Sequence, residues 1–428
     1  MGPTLTSYGR PFPRRQAQRL VELLSRPESA LQAVLTARRR EGKSDLLVQI
    51  QAALFDKADG PMPFRYVFDP RRAPDALARH FAASFCQQMR AFVMRQPEML
   101  GEPLALLERE LERPGLPLAL TELGREYLAL SSSARLEFAA TLPGQFAYQE
   151  GRPLCLLLDN AETLEVFPEL LSTLDDPRLS WLLTGRCRPL RRLAGRRGWP
   201  LLPLEPFALE EAMALASERC RQFEMPWVAS AWQDWFAIAG TSPEWVDRLI
   251  ESAAAAGRRL DSLEDLGRAY VRESAGGGMG QLFQERWQTV FADRGVAAEA
   301  SLAGVREASH VAARLLQPQG GMLEPEAVPP GVRDGLAAEE WIVETPLGDA
   351  VRLSTVERDW LELARNTARF GAQRAEAGLL QAFLARAEGA RQWRQAGDAV
   401  QEIRTGLLAL PGLAAGEGRS PRLPELCS

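Results

Sequence analysis

Short apolar runs recur through the first half of the chain. They predict five strands, at residues 33–36, 64–70, 153–159, 178–186 and 201–204. The third run is apolar without alternation, which is typical of a central parallel strand buried on both faces. Helical patterns lie between the runs, near 45–55, 72–95, 103–113 and 121–140. The pattern predicts an α/β fold with a parallel sheet of about five strands and a helical insert at about 72–140.

The second half of the chain is mostly helical in pattern. We expect the α/β domain to occupy 1–205 and a helical segment to occupy 206–275. The glycine-rich stretch Ser274–Gly278 predicts a linker between this segment and the rest of the chain.

The region after the predicted linker combines helices with a β-hairpin. An alternating run at 341–353, divided by a Pro-Leu-Gly-Asp turn, predicts the hairpin. Helices are expected before it, near 279–294, 302–316 and 332–340, and after it from Val356. This order resembles a winged helix-turn-helix over 279–365. The remainder, 366–428, is expected to be helical with a flexible tail from Pro411.

A glycine-lysine-serine triplet lies between the first strand and the first helix. The helical pattern begins at Asp45, and the loop before it reads Ala37-Arg38-Arg39-Arg40-Glu41-Gly42-Lys43-Ser44. In the context of strand, tight loop and helix, the triplet predicts a phosphate-binding loop. Its N–H groups would point at the anion, Lys43 would reach the β and γ phosphates, and Ser44 would hold Mg²⁺. The alternative is a chance triplet at a helix start.

Lys43 is unusual in this chain because only two of its 51 basic residues are lysines. Where arginine is preferred almost everywhere, a lysine marks a site that needs a compact ammonium group. Ala37 stands where the usual pattern has its first glycine, which is a mild departure.

Asp159 ends the buried third strand and is the predicted partner of the loop. An acidic residue there would bind Mg²⁺ directly or through water, so we predict a metal site at Ser44 and Asp159. The next residue, Asn160, cannot accept a proton from an attacking water. Glu162 is a candidate replacement, and a capping or surface role is its alternative. We therefore expect a weakened catalytic site.

The fourth strand ends in Thr184-Gly185-Arg186, which places a hydroxyl and a guanidinium at the strand-end crevice where α/β proteins bind ligands. Arg186 suits the γ-phosphate because its planar fork matches phosphate oxygens; a solvated loop arginine is the alternative. Six arginines, called the arginine patch below, follow within twelve residues: Arg186, Arg188, Arg191, Arg192, Arg196 and Arg197. The patch could contact nucleic acid or an acidic protein surface, or could simply be solvated.

Taken in order, these pieces resemble the STAND and archaeal-type P-loop ATPases, which are related to AAA+ proteins. The resemblance also includes Tyr8–Phe12, similar to an adenine-side segment, and Leu204–Ala212, similar to the opening of a lid. It covers about residues 8–250 well and extends weakly to about 365. Only the GKS loop is highly specific, and the other pieces gain weight from their order.

The resemblance implies ATP and Mg²⁺ as ligands. It also implies that 206–275 is a helical lid, with Pro243 near the adenine, and that 279–365 is a winged-helix domain. Related proteins commonly carry a glutamate at the place of Asn160, so the departure bears on hydrolysis. The residues that we predict to act in catalysis are Lys43, Asp159, Glu162 and Arg186. A bacterial mobile-element or defence system is the setting that the resemblance implies.

Composition narrows the remaining function classes. The net charge of −5 and pI near 5.5 argue against a globally basic nucleic-acid coat. Two histidines and five scattered cysteines offer no structural zinc pattern, and unpaired cysteines fit a reducing cytoplasm. No apolar run approaches the ~20 residues of a membrane helix.

We therefore expect a nucleotide-dependent switch in which slow ATP hydrolysis controls self-assembly or the engagement of a protein partner or DNA. One alternative is a nucleotide-binding scaffold that does not hydrolyse ATP. Another is a winged-helix DNA-binding regulator. The acidic residues around 332–340 make that helix a poor partner for DNA phosphates, which disfavours the last alternative.

Overall fold

The computed structural model contains a parallel sheet, and the GKS loop follows the carboxyl end of one of its inner strands. Its strands are β1 (Gln32–Thr36), β2 (Met62–Val67), β3 (Leu154–Asp159), β4 (Leu179–Leu183) and β5 (Leu201–Pro203). The strand order is β2-β3-β4-β1-β5, and every neighbouring pair is parallel. All six residues of β3 are buried, as its unbroken apolar run predicts. The predicted α/β P-loop fold is confirmed, with β4 lying between β1 and β3.

The structure describes most of the chain but not all of the predicted features. The described residues are 14–26, 30–39, 41–57, 59–165, 167–176, 179–291, 306–316, 322–323, 328, 330–345 and 348–408. The segment Tyr8–Phe12, Arg40 and the tail from Pro411 lie outside them, so the predictions made for these residues stay predictions.

Helices cover both faces of the sheet. The helices of the α/β region are, in chain order, α1 (Arg15–Leu24), α2 (Lys43–Asp56), α3 (Pro74–Met94), α4 (Leu107–Leu111), α5 (Leu118–Ala129), α6 (Ser132–Glu150), α7 (Pro168–Thr173) and α8 (Cys187–Arg197), and α9 (Leu209–Gln222) follows the last strand of the sheet. Residues of β3 alternate between two apolar clusters. Leu156 lies in the cluster that includes α3, α5 and α6, and Leu157 lies in the cluster with α1 and α2. The helices of the predicted insert therefore pack on the sheet and contribute to its core.

The chain divides into two units. One comprises Met1–Leu215, Thr241–Asp247 and Leu282–Leu353, and the other comprises Ala216–Gly240, Arg248–Gln281 and Ser354–Ser428. The remaining helices are α10 (Ala229–Ala239), α11 (Pro243–Ala255), α12 (Leu263–Ala275), α13 (Gly278–Phe291), α14 (Arg306–Leu315), α15 (Pro330–Ala338), α16 (Thr355–Phe370) and α17 (Ala372–Leu408).

The first unit contains, besides the sheet, a helix-and-hairpin module at 282–353. Its strands β6 (Met322–Leu323), β7 (Ile342–Thr345) and β8 (Gly348–Val351) are antiparallel in the order β6-β8-β7. Thr345 pairs with Gly348, so the predicted hairpin is confirmed.

Buried carboxylates hold the second unit together. The Asp359 carboxylate accepts a 2.7 Å bond from the Tyr270 hydroxyl and bonds of 2.7 and 2.6 Å from the Arg386 guanidinium. Asp234, also buried, is paired with Arg391 at 2.5 Å and with Arg394. These ion pairs attach α17 to α10 and α16, because a buried carboxylate needs charged partners.

The predicted linker at Ser274–Gly278 is wrong. Ser274 is fully buried within α12, and α13 begins at Gly278, leaving only two residues between the helices. A side chain at Gly280 would place its Cβ 2.5 Å from the Ser274 carbonyl oxygen. The glycines allow two helices to meet closely, so their composition reflects packing and not chain freedom.

Candidate nucleotide site

The GKS loop connects β1 to α2, and Gly42 sets its shape. Gly42 has φ 88°, in the left-handed region that favours glycine, and it is the N-cap of α2. An added Cβ would lie 2.6 Å from Nη2 of Arg14, so the Arg14 guanidinium would have to move to admit a side chain. The loop conformation therefore favours glycine at this position for two reasons.

Lys43 lies across the loop. Its Nζ donates to the carbonyl oxygens of Ala37 and Arg38, at 2.8 and 2.9 Å. Asp45, in the first turn of α2, accepts a 2.6 Å bond from Nε2 of Gln49. The ammonium group is thus held by backbone carbonyls at the place where a phosphate-binding loop needs a positive charge.

Three hydrogen-bond donors meet at Asp159, the last residue of β3. Ser44 Oγ donates to Asp159 Oδ2 at 2.5 Å, and Thr184 Oγ1 donates to Oδ1 at 2.6 Å. The Asn160 N–H also donates to Oδ1, at 2.9 Å. A carboxylate fixed beside a serine hydroxyl is a hard-oxygen donor set that fits Mg²⁺. The structure thus brings together the two predicted metal ligands.

Thr184 is a site residue that the sequence indicated only as a strand-end hydroxyl. It is fully buried, and β4 lies between β1 and β3, so its side chain reaches Asp159. The only indication of this contact in the sequence was a hydroxyl residue at the end of a predicted strand.

Asn160 has a structural role just beyond the end of β3. Its φ is 54°, a left-handed conformation that asparagine tolerates better than most residues. Its Nδ2 donates to the Phe68 carbonyl oxygen, at 3.1 Å, just beyond the end of β2. The amide therefore ties two strand ends together, a structural role for the residue that replaces the expected glutamate.

Glu162 and Arg186 form a pair at the same strand ends. The Arg186 N–H donates to Glu162 Oε2 at 3.0 Å, and Nε of Arg186 lies 3.6 Å from Oε1. A Cβ on Gly185 would collide with the Glu162 carboxylate, so glycine leaves the room that this carboxylate occupies. The carboxylate is consequently held at the carboxyl ends of β3 and β4.

Arg14 is a buried contact of the loop that the sequence did not reveal. Its guanidinium donates to the Glu41 carbonyl oxygen at 2.6 Å and lies 4.0 Å from the centre of the Phe207 ring. Burial lowers the pKa of Arg14, and the carboxylates of Asp45, Glu211 and Glu41 partly offset this. One arginine among so many carries no distinguishing pattern.

Pro243 is the first residue of α11, in the segment 241–247 of the first unit. The Thr241 hydroxyl donates to the Phe207 carbonyl oxygen at 2.7 Å, and the Phe207 ring contacts Arg14. The segment with Pro243 is thus connected to the loop through two intermediate residues. Its predicted contact with adenine stays a prediction.

Acidic residues at the end of α15 contact the loop. Arg39, in the loop, donates its N–H to the Glu340 carboxylate, and its Nη1 lies 2.7 Å from Glu339. The Cys187 N–H, at the start of α8, also donates to Glu340, at 2.9 Å. Burial raises the pKa of the Cys187 thiol, with Arg191 and Lys43 opposing and Glu340 adding to the shift. Glu340, Cys187 and Arg191 line a cavity of about 310 Å³, together with Arg38 and Arg352.

The arginine patch is largely paired within the first unit. Four of its arginines lie near carboxylates: Arg186 and Glu162 at 3.6 Å, Arg188 and Asp334 at 3.1 Å, Arg196 and Glu165 at 2.5 Å, and Arg197 and Asp175 at 3.1 Å. Paired arginines attract a phosphate backbone less strongly than free ones.

Comparison with known proteins shows distant likeness only. No protein-family model and no curated protein matches the chain. It is similar to a Walker-type ATPase of Pyrococcus abyssi (16% identity, TM-score 0.48, 82% of this chain and 95% of that one). It is also similar to the ORC2 protein of Aeropyrum pernix (15%, 0.39, 89% and 97%) and a RuvB mutant of Thermotoga maritima (13%, 0.36, 79% and 91%). All three scores are below 0.5, so the fold assignment rests on the strand order and loop of this chain.

The described residues contain no group of three or more His, Cys, Asp or Glu side chains placed to hold a metal ion. None of the helices in the described part of the chain combines the length and apolar character needed to span a membrane.

Proposed function

We propose that this chain binds ATP with Mg²⁺ at the GKS loop and acts as a nucleotide-dependent switch that hydrolyses ATP slowly. The observation that carries the proposal is the contact between Ser44 and Asp159, 2.5 Å, beside a loop whose Lys43 ammonium is already in place. A serine and a strand-end aspartate in contact, next to a left-handed glycine, are what a Mg²⁺–nucleotide site needs.

Different residues of the chain would bind the phosphates and the metal ion. Lys43 and the N–H groups at the start of α2 would bind the phosphates, and Ser44 and Asp159 would hold the metal ion. Bound Mg²⁺ would neutralise charge on the phosphate oxygens. Thr184 orients the Asp159 carboxylate through its 2.6 Å bond. The loop residues Ala37–Asp45 thus form the proposed binding surface, with Pro243 on the adenine side.

Hydrolysis would depend on Glu162. Asn160 has no basic atom to offer and is bonded to a backbone carbonyl, so Glu162 is the carboxylate we propose to orient the attacking water. Arg186 would hold that carboxylate and face the γ-phosphate. Since Glu162 lies two residues beyond the usual position and is engaged with Arg186, we expect turnover to be slow.

The contact of the 282–353 module with the loop supports the switch. A module whose residues touch the phosphate loop would respond when the loop binds an anion. We propose that the module is a winged helix that engages a protein partner or a second copy of the chain. The alternative of DNA binding is weakened, because Asp334, Glu339 and Glu340 make its helix acidic and the arginine patch is mostly paired.

The proposal is tested by ATP binding and turnover of the purified chain, with and without Mg²⁺. We expect saturable binding, Mg²⁺-dependent turnover below the common range of ~1–10³ s⁻¹, and nucleotide that remains bound on the protein. Turnover within that range would contradict the slow switch and leave a simple ATPase. Binding without any turnover would favour the scaffold, and a salt-dependent shift of random duplex DNA would favour the DNA-binding regulator. A cytoplasmic location and the mobile-element or defence setting stay predictions.

A further inference from the structure

Glu340 places a carboxylate where a phosphate loop binds anions. The Glu340 side chain is 6% exposed, and its two oxygens accept the N–H groups of Arg39 and Cys187. Arg39 belongs to the loop, and Cys187 is the first residue of α8. N–H groups in a phosphate loop and at a helix N-terminus are the donors that hold phosphate oxygens. A carboxylate is the closest side-chain equivalent of such an oxygen pair.

The backbone conformation at Glu340 indicates that the position of its side chain is functional. The Glu340 N–H donates to the Ala337 carbonyl at 3.1 Å, and the Trp341 N–H donates to the Leu336 carbonyl at 2.9 Å. This is the Schellman pattern at the end of α15, in which Glu340 takes the left-handed position with φ 62°. Glycine is the usual residue there, because a Cβ is disfavoured. A buried, charged residue in a glycine position is strained, and strain of this kind is retained where the side chain is needed.

The surroundings of Glu340 are positive. Lys43, Arg191 and Arg352 all act electrostatically on the Cys187 thiol, whose N–H holds Glu340. The Glu340 carboxylate and a bound phosphate group would repel each other strongly at this partly buried place. A nucleotide triphosphate bound by Lys43 and the loop would therefore compete with the Glu340 carboxylate for the same cations and N–H groups.

The neighbouring contacts hold the module in this position. Glu339 is 5% exposed and is paired with Arg39 at 2.7 Å and with Nε of Arg286 at 3.0 Å. Arg286 is itself part of the module, so Glu339 is compensated even without the loop. Glu340, by contrast, obtains its two N–H donors from the loop and α8, outside the module.

We propose that Glu340 is an internal competitor of ATP, which holds the 282–353 module on the phosphate loop until the nucleotide phosphates displace it. This inference rests on the proposed function and names the group through which ATP would act on the module. The module is released because its anionic contact is lost, not because the loop unfolds. Nucleotide affinity is accordingly lower than the loop alone would give.

The test compares ATP affinity of the full chain with Glu340→Gln and a matched control. Glutamine keeps the shape but removes the charge, so ATP should bind about tenfold more tightly without Mg²⁺, a typical effect for a charged hydrogen bond. Asp334→Asn makes the same charge change in the same module, at a side chain that is 71% exposed and pairs with Arg188. We expect its ATP affinity to stay within about twofold of the wild type.

A second variant and a second measurement guard against misfolding. Glu340→Gly suits the left-handed backbone and also removes the carboxylate, so it should stay folded and bind ATP more tightly. In the wild type, ATP should speed hydrogen exchange of the amides at 336–345. Unchanged affinity in both variants, or slower exchange with ATP, overturns the competitor while the proposed function stands. If neither the wild type nor these variants bind ATP, the proposed function itself fails.

Discussion

The two sides of the strand-end crevice differ in how complete they are. On the side where we propose that the metal ion binds, called the metal side, the Asp159 carboxylate already accepts hydrogen bonds from Ser44 and Thr184, at 2.5 and 2.6 Å. On the side where we propose that the attacking water is oriented, called the water side, the Asn160 amide donates to a backbone carbonyl, and Glu162 accepts the N–H of Arg186 beyond the end of β4. In the proposed function, nucleotide binding and hydrolysis would therefore depend on separate residues. Substitutions should therefore be able to remove hydrolysis while leaving nucleotide binding intact.

The largest expected effect is on the metal side. Asp159→Asn should lower Mg²⁺-dependent ATP turnover about 100-fold or more, because the amide removes the charge that would hold the metal ion. ATP binding without Mg²⁺ should change about threefold or less, since the role we propose for Asp159 is to hold the metal ion and not the phosphates. Steady-state turnover and metal-free calorimetry measure the two effects.

Folding of the Asp159 variant needs its own control, because Asp159 is buried and accepts three hydrogen bonds. Thermal unfolding of Asp159→Asn should stay cooperative, since asparagine can keep the bond from Thr184. An equal loss of both turnover and metal-free binding in a folded variant would remove Asp159 from the metal site.

Glu162→Gln tests the water side. If Glu162 orients the attacking water, its loss should lower turnover by about 100-fold, the lower end for a general base, with ATP affinity unchanged. Arg186→Lys is the companion variant, because lysine keeps a positive charge near Glu162 and the N–H that binds it. It should reduce turnover less than Glu162→Gln. Unchanged turnover in Glu162→Gln would assign the carboxylate a purely structural role.

Gly185→Ala should act on turnover through Glu162. The new methyl group would occupy the space of the Glu162 carboxylate and push it away from Arg186. We expect turnover to fall roughly tenfold, since a displaced group loses much of its catalytic geometry. Gly195→Ala is the matched control, because a Cβ there meets nothing within 4 Å. Adding Glu162→Gln to Gly185→Ala should cause less than an additive loss; full additivity would show that the two residues act separately.

The smallest expected effect is at Asn160. Asn160→Gly keeps the left-handed backbone and loses one bond to the Phe68 carbonyl, so it should cost about 1 kcal/mol of stability. Turnover should stay within about twofold, because the amide takes no proton. Thermal unfolding and turnover are the measurements. A tenfold loss of turnover in a stable variant would place Asn160 in catalysis and break the division between the two sides.

The features predicted from sequence are those encoded by neighbouring residues. The five strands follow from short apolar runs, and the hairpin follows from alternation around a turn. The GKS loop is recognised because Gly42, Lys43 and Ser44 are adjacent and lie between a strand and a helix. Asp159 follows because the end of a fully apolar strand fixes its place at the sheet edge. Such features can be predicted without knowing which helices and strands contact each other.

The features missed depend on contacts between distant segments. Arg14 contacts Glu41 from the N-cap position of α1, and nothing distinguishes it among so many arginines. Thr184 becomes a site residue only because β4 lies between β1 and β3. Glu340 was recognisable only as part of an acidic helix, because its contact with Arg39 spans about 300 positions. The wrong linker prediction arose because glycine serves close helix packing as well as chain freedom.

The most direct test of nucleotide binding at the GKS loop is titration calorimetry of ATP against Lys43→Ala and Lys57→Ala. These are the two lysines of the chain, and Lys57 is exposed at the end of α2, away from the loop. We predict that Lys43→Ala weakens ATP binding at least about 100-fold, since it loses a charged contact to phosphate in a partly buried site. Lys57→Ala should bind as the wild type does, and both variants should unfold cooperatively. Equal ATP affinity in a folded Lys43→Ala and in the wild type would contradict the assignment of the loop.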